Sequence, residues 1–180
     1  MVALLLVTLA AGAFDYGMGW RTGLAVTEAA RSGARVGSSQ GPNLNADFSL
    51  LSSVKAALAS SNQIGKVDRV VIYRSATADG SVPANCKTTT NATIPEDCNI
   101  LKGTQLQSLP ASVTGATDAN GCIVASQTKG WCPAERQDVQ VQADYIGIWI
   151  RVRYDFQFRM LRSSTFVERS AVMRIEPKER

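Results

Sequence analysis

The sequence predicts an α+β domain in which a long N-terminal helix packs with a second helix on a small antiparallel sheet, with a disulfide-containing loop insertion. Three observations predict it. Residues 2–36 contain no proline and pass from an uncharged apolar run into a series of small residues. Residues 146–158 alternate apolar and polar side chains with a period of two, as a strand with one buried face does. All four cysteines, Cys86, Cys98, Cys122 and Cys132, lie between these segments, in a stretch rich in Thr, Ser, Asn and Gly.

The first helix opens on residues 2–14, with no charge before Asp15. A spanning helix needs about 20 apolar residues. The run is therefore read as a transmembrane segment over residues 1–20 whose N-terminal part lies upstream, and residues 21–180 as a single extracytoplasmic domain. A signal peptide would explain Ala11-Gly12-Ala13, but it calls for a basic leader and the first Lys or Arg is Arg21. A soluble core helix would explain the length, yet Leu4-Leu5-Leu6-Val7 offers no polar face.

Glycines at 12, 17, 19, 23 and 33 each cost an exposed helix about 1 kcal/mol relative to Ala, so they need a reason. Ala25, Ala29, Gly33 and Gly37 recur every fourth residue, Gly19 and Gly23 extend the row, and such a line lets another backbone approach closely. The row is assigned to packing against neighbouring helices, with packing of its lower part on the chain's own sheet as the alternative. The other side carries Glu28 and Arg31, spaced to pair, and Arg35. Gly37 and residues 38–42 end the helix.

Residues 47–62 predict a second helix, with Phe48, Leu51, Val54, Leu58 and Ala59 as its apolar stripe and Gly65 beyond it. Residues 67–73, rich in β-branched side chains, predict a strand. Residues 75–135 hold Asp79-Gly80, Pro83, Pro95 and Asn120-Gly121 and no long periodic segment, which predicts a disulfide-held excursion with a short strand at 122–125. Asn91-Ala92-Thr93 matches a glycosylation acceptor. In the long strand, Ile146, Ile148, Ile150, Val152, Tyr154, Phe156 and Phe158 form the buried face. A turn around Arg162-Ser163-Ser164 leads to a last strand, 166–175, ended by Pro177, and the hairpin pairs with 67–73 to make the sheet. Trp149, among arginines on the other face, predicts a solvated surface or a partner-binding one.

The cysteines show no Cys-x-x-Cys spacing, and the chain has no histidine to complete a mixed metal site. Two disulfides formed in an oxidising compartment are the simplest account, reduced buried thiols the alternative. Three connectivities are open. Neighbour pairing, Cys86 with Cys98 and Cys122 with Cys132, is favoured because small loops staple a segment too polar to fold alone, each bridge contributing about 2–4 kcal/mol.

Charge and residue types narrow the function. The net charge is +4 with Lys and Arg scattered, so no nucleic-acid partner is expected. Ser and Cys nucleophiles lack their usual histidine base, Glu96 and Asp97 sit in polar surroundings, and no strand–glycine–helix phosphate loop occurs. No enzymatic activity, cofactor or metal is expected. Arg21, Arg31 and Arg35 follow the apolar run and by the positive-inside tendency favour the cytoplasm, whereas the cysteines favour the outside. A charged leader upstream would resolve the conflict in favour of an external C-terminal domain.

The layout resembles type IV pilin-like architecture. More specifically, the apolar run followed by Asp15, Tyr16 and Gly17, then Ala29, Ala30, Arg31, Gly33, Ala34 and Arg35, resembles TadE-like pseudopilins of the tight-adherence (Tad) pilus systems. The closing Val172-Met173-Arg174-Ile175-Glu176-Pro177 is similar to that family as well. The family's peptidase site and early glutamate have no counterpart here, and Met18 stands where a basic residue is usual, so processing is carried over to no residue. The resemblance implies a minor pilin or pseudopilin, a single-pass cell-membrane protein with its C-terminal domain outside, which primes or helps to build an adhesive pilus. Its partners would be other pilin subunits, pilus assembly proteins and the membrane. Asp15 would pair with a basic group of an adjacent subunit or assembly protein, or lie at the headgroup boundary. The alternative is a membrane-anchored or secreted disulfide-bonded binding module with the excursion as its recognition surface.

Overall fold

The computed structural model describes residues 2–88, 97–158 and 163–177. Helix α1 (Val2–Gln40) is a single unbroken helix of 39 residues. It stops at Gly41, whose φ of +54° is a left-handed conformation that an L side chain rarely adopts, and the Gly41 amide donates to the Gly37 carbonyl at 3.0 Å. Helix α2 (Ala46–Ser60) folds back along α1, and the Ser32 and Ser53 hydroxyls bond between the two helices at 2.7 Å.

Among the described residues, the remaining α-helices and strands in chain order are β1 (Val67–Ser75), α3 (Ala84–Thr88), β2 (Cys98–Lys102), α4 (Gly103–Gln107), β3 (Thr128–Lys129), β4 (Tyr145–Asp155) and β5 (Ser164–Arg174), with short 3-10 turns at Ile64–Lys66 and Pro133–Glu135. The strands form one antiparallel sheet in the order β3-β2-β1-β4-β5. The α+β architecture, the long N-terminal helix and the antiparallel sheet are as the sequence predicts.

The alternation of β4 sets one side of the sheet. Ile146, Ile148, Ile150 and Val152, with Val70 and Ile72 of β1 and Leu101 of β2, share a core with Val26, Ala29, Ala30 and Ala34 of α1 and Leu50, Leu51, Val54 and Leu58 of α2. Burying a Leu, Ile or Val side chain fully contributes about 1.5–3 kcal/mol. This layer is what fixes α1 to the sheet.

The opposite side departs from expectation. Trp149 is not solvated but buried in a second core with Val71, Tyr73, Ile100, Cys98, Val82 and Cys86, while Arg153 further along the same face of β4 is exposed. The excursion folds over this face, and the Lys87 ammonium sits 5.8 Å from the Trp149 ring centre. Tyr73 lies on the strand directly opposite Gly147, where any Cβ would strike its ring, and its hydroxyl donates to the Gly80 carbonyl at 3.2 Å. The sheet is therefore covered on both sides at β1, β2 and the first half of β4, while no residue of β5 is fully buried.

The excursion also supplies strands that the sequence does not announce. Strand β2 pairs with β1 from Arg69↔Lys102 to Tyr73↔Cys98, and β3 adds the edge. No strand forms at 122–125; a single bridge joins Thr117 to Ile123, and the chain turns through Gly121 at φ +82°. Asp118 holds this turn, accepting from the amides of Asn120 and Cys122 and from Lys129 Nζ at 2.9–3.1 Å. Desolvation acts to raise the Asp118 carboxyl, but Lys129 and the two amides outweigh it and hold it below the usual carboxylate range. The glycosylation motif at Asn91, Pro95, Glu96 and Arg162 of the expected turn lie outside the described residues.

Cys86 is bonded to Cys98 and Cys122 to Cys132, the neighbour pairing. The first bridge ties α3 to β2 across the Trp149 face. The second ties the Asp118 turn to the segment entering Pro133.

Candidate functional site

The candidate site is the region where α1 runs out past the sheet. Toward its N-terminus, Val2, Leu5, Leu6, Val7 and Leu9 are all exposed, and burial begins at Ala11 and Asp15. Among the described residues no helix is long and apolar enough to cross a membrane. The exposed segment is nonetheless a run of apolar side chains with no cover from the described part of the chain, a costly arrangement in water.

Asp15 joins helix to sheet. Its carboxylate accepts from the backbone amides of Gln157 at 2.9 Å and Phe158 at 3.3 Å, just past the end of β4. The Tyr154 hydroxyl donates to the Asp15 carbonyl at 3.0 Å, and the Phe14 and Phe158 rings meet edge to face at 6.0 Å. Burial, and then the Asp15 charge, push the Tyr154 phenol above its ordinary value, so it remains a donor at neutral pH. Among the described residues, the groups that meet the Asp15 charge are the backbone amides of Gln157 and Phe158. The sheet reaches back along α1 to this point, so residues 15–20, assigned from sequence to the membrane segment, lie at the level of β4.

Asp15→Ala leaves two amides at the β4 end without their charged acceptor, an expected loss of about 1.5–3 kcal/mol. Amide hydrogen exchange at Gln157 and Phe158 is expected to accelerate while Ile148 and Ile150 stay protected; unchanged exchange at 157 and 158 would remove Asp15 as the clamp.

The small-residue row has a specific destination in the chain. A Cβ on Gly19 would lie 3.6 Å from the Tyr154 ring, on Gly23 2.9 Å from the Arg169 guanidinium, on Gly33 2.5 Å from Val54 and on Gly37 2.7 Å from Leu50 and 2.8 Å from Ile146. Ala29 is fully buried and Ala25 half-buried. The lower part of the row, Ala29, Gly33 and Gly37, is buried against the chain's own α2 and sheet, whereas Gly19 and Ala25 are half-buried. Gly12 and Gly17 differ: among the described residues nothing lies within 4 Å of a Cβ at either.

One buried ionic group gave no signal in the sequence. Asp47, in the first turn of α2, is fully buried against Arg136, and Asn99 Nδ2 donates to its second oxygen at 2.9 Å. Asn99 also bonds the Trp131 backbone at both ends, and the Arg136 guanidinium stacks 4.6 Å from the Trp131 ring centre. Burial is the largest influence on the Asp47 carboxyl and raises it above its ordinary value, while Arg136 and Asn99 oppose the rise. This cluster pins the excursion to α2. A surface cleft of about 420 Å³ lies between Arg74, Asp97, Gln142 and Asp144, but Arg74 is already paired with Asp144 at 2.8 Å and Asp144 accepts the Gln137 amide.

No family model, curated protein or solved structure matches the chain.

Proposed function

We propose that the chain is a membrane-inserted, pilin-like subunit of the TadE-like kind, acting in assembly of a tight-adherence pilus with its disulfide-bonded domain outside the cytoplasm. The observation that carries this reading is the two-part character of α1. One continuous helix serves as a buried element of an α+β domain over its C-terminal half and leaves that domain, apolar and uncovered, at its N-terminal end. Lipid first, and the helices of other subunits after extraction, are the surroundings that suit such an end. The two disulfides fit an oxidising compartment. The mechanism is physical: the apolar end holds the subunit in the bilayer, the clamp at Asp15 keeps helix and domain as one rigid piece, and assembly draws them out together.

The test is to express the full chain with the pilus machinery and to assay three properties together. Expected are retention in carbonate-washed membranes, cleavage of the domain by protease added from outside, and recovery of the chain in sheared filaments or loss of filaments on its deletion. A chain found in the soluble fraction with four free thiols would overturn the reading.

A further inference from the structure

The side chains around the point where α1 leaves the sheet have a distribution that the pilin-like reading does not by itself call for. Tyr16 is 73% exposed, Trp20 61%, Phe14 53% and Phe158 52%. Phe14 and Tyr16 are two positions apart and hence about 200° apart around the helix. They point to opposite flanks. Phe158 adds a fourth ring from the end of the sheet, against Phe14.

A partner helix covers one stripe of α1, about 100° wide. It cannot cover Phe14 and Tyr16 together. A lipid interface surrounds the helix on every side the domain leaves open, and its polar–apolar boundary is where Trp and Tyr rings reside, with the ring body in the acyl boundary and the polar tip in the headgroups. From Phe14 to Trp20 the collar spans roughly 9 Å along the axis at about 1.5 Å per residue. That is close to the thickness of one headgroup zone, several Å. Arg21, exposed just beyond, stands where lipid phosphates would lie. Asp15, at the same height, would be costly against lipid, but it faces the domain and its oxygens are occupied by the Gln157 and Phe158 amides.

We infer that Phe14, Tyr16, Trp20 and Phe158 form an interfacial collar that seats the domain directly on the bilayer surface, with the headgroup zone as its partner. The collar fixes how deep α1 enters. It rests on the membrane-inserted reading and goes beyond it, because an anchored domain could equally stand off from the surface.

Tryptophan fluorescence reads the seat, since Trp131 and Trp149 are buried inside the domain and Trp20 is exposed. The full chain is reconstituted into phosphatidylcholine/phosphatidylglycerol vesicles carrying quenchers either near the headgroups or deep in the acyl chains, and compared with Trp20→Phe. Expected are co-flotation with the vesicles, a blue-shifted Trp20 component quenched more strongly by the shallow label than by the deep one, and loss of that component in Trp20→Phe. Co-flotation with Trp20 open to acrylamide and untouched by either lipid quencher would overturn the collar and leave the anchor standing. Trp20 shielded from acrylamide but indifferent to both lipid labels would overturn it in favour of a contact between copies of the chain. Failure to float would overturn collar and anchor together.

Discussion

Gly33→Leu is expected to destabilise the folded domain by about 3 kcal/mol, the upper part of the range for overpacking a well-filled core. Leu is the better helix former, worth about 1 kcal/mol at an exposed site, but position 33 is not exposed. Its first side-chain carbon alone would lie 2.5 Å from Val54 and 3.7 Å from Ile148 and Leu50, and three further carbons would have to follow. Gly17→Leu should behave oppositely. With nothing among the described residues within 4 Å of its Cβ, the helix is expected to gain the propensity term, about 0.8–1 kcal/mol. Chemical denaturation of both variants, as full chains in mild detergent, checks the pair. Equal midpoints for Gly33→Leu and the parent would mean that α2 does not close on α1 there.

The contrast bears on function. From the sequence, loss of assembly in Gly33→Leu counts as evidence that the small-residue row packs against neighbouring subunits. Since position 33 is closed over by Val54 and Leu50 of α2 and Ile148 of β4, that loss is expected from misfolding alone. The face of α1 at Gly17 serves no close approach among the described residues and is the open one for the proposed subunit contact, whereas Gly12, five positions earlier, lies about 140° around the helix. Gly17→Leu that folds normally and fails to assemble would locate the contact on that face; normal assembly would exclude a close backbone approach at position 17.

What could be read from the sequence follows from how local the physics is. The alternation in β4 could be read because its α-facing side chains are uniformly apolar; the neighbour disulfides are one of three open connectivities, favoured because small loops staple a segment too polar to fold alone. Strand β2 could not be read: Cys98-Asn99-Ile100-Leu101 is buried on both faces, so the two-residue period that marks a half-exposed strand is missing. Trp149 among arginines reads as a surface residue because its cover, Val82, Cys86 and Lys87, comes from a polar segment with no periodicity of its own. The small-residue row showed that something packs closely, without showing what. Asp15 drew notice as a charge beside an apolar run, but its partners are backbone amides more than 140 positions away, which carry no sequence signature.

Asp47 is the extreme case, and it supports the second large effect. In sequence it is an acid in a helix's first turn, a favourable and ordinary place; in the fold it meets Arg136, 89 positions on, with both side chains almost wholly buried. Removing one member of a buried pair strands the other, so Arg136→Met is expected to cost about 3–5 kcal/mol near neutral pH. The cost should depend on pH in a definite sense. Burial already raises the Asp47 carboxyl above its unfolded value near 3.8, and loss of Arg136 leaves that influence opposed mainly by Asn99. An acid whose folded pKa is raised binds protons more readily folded than unfolded, so the penalty is absent below about 3.8, grows as pH rises toward the folded pKa, and is complete above it. Denaturation midpoints of Arg136→Met and the parent should therefore converge as pH falls and separate as it rises. Adding Asp47→Asn to Arg136→Met removes the stranded charge and should recover a large part of the loss at neutral pH, with little pH dependence left from this site. A loss for Arg136→Met that is the same at acidic and neutral pH would assign the destabilisation to lost packing against Trp131, and the ionic account of how the excursion is pinned to α2 would fall.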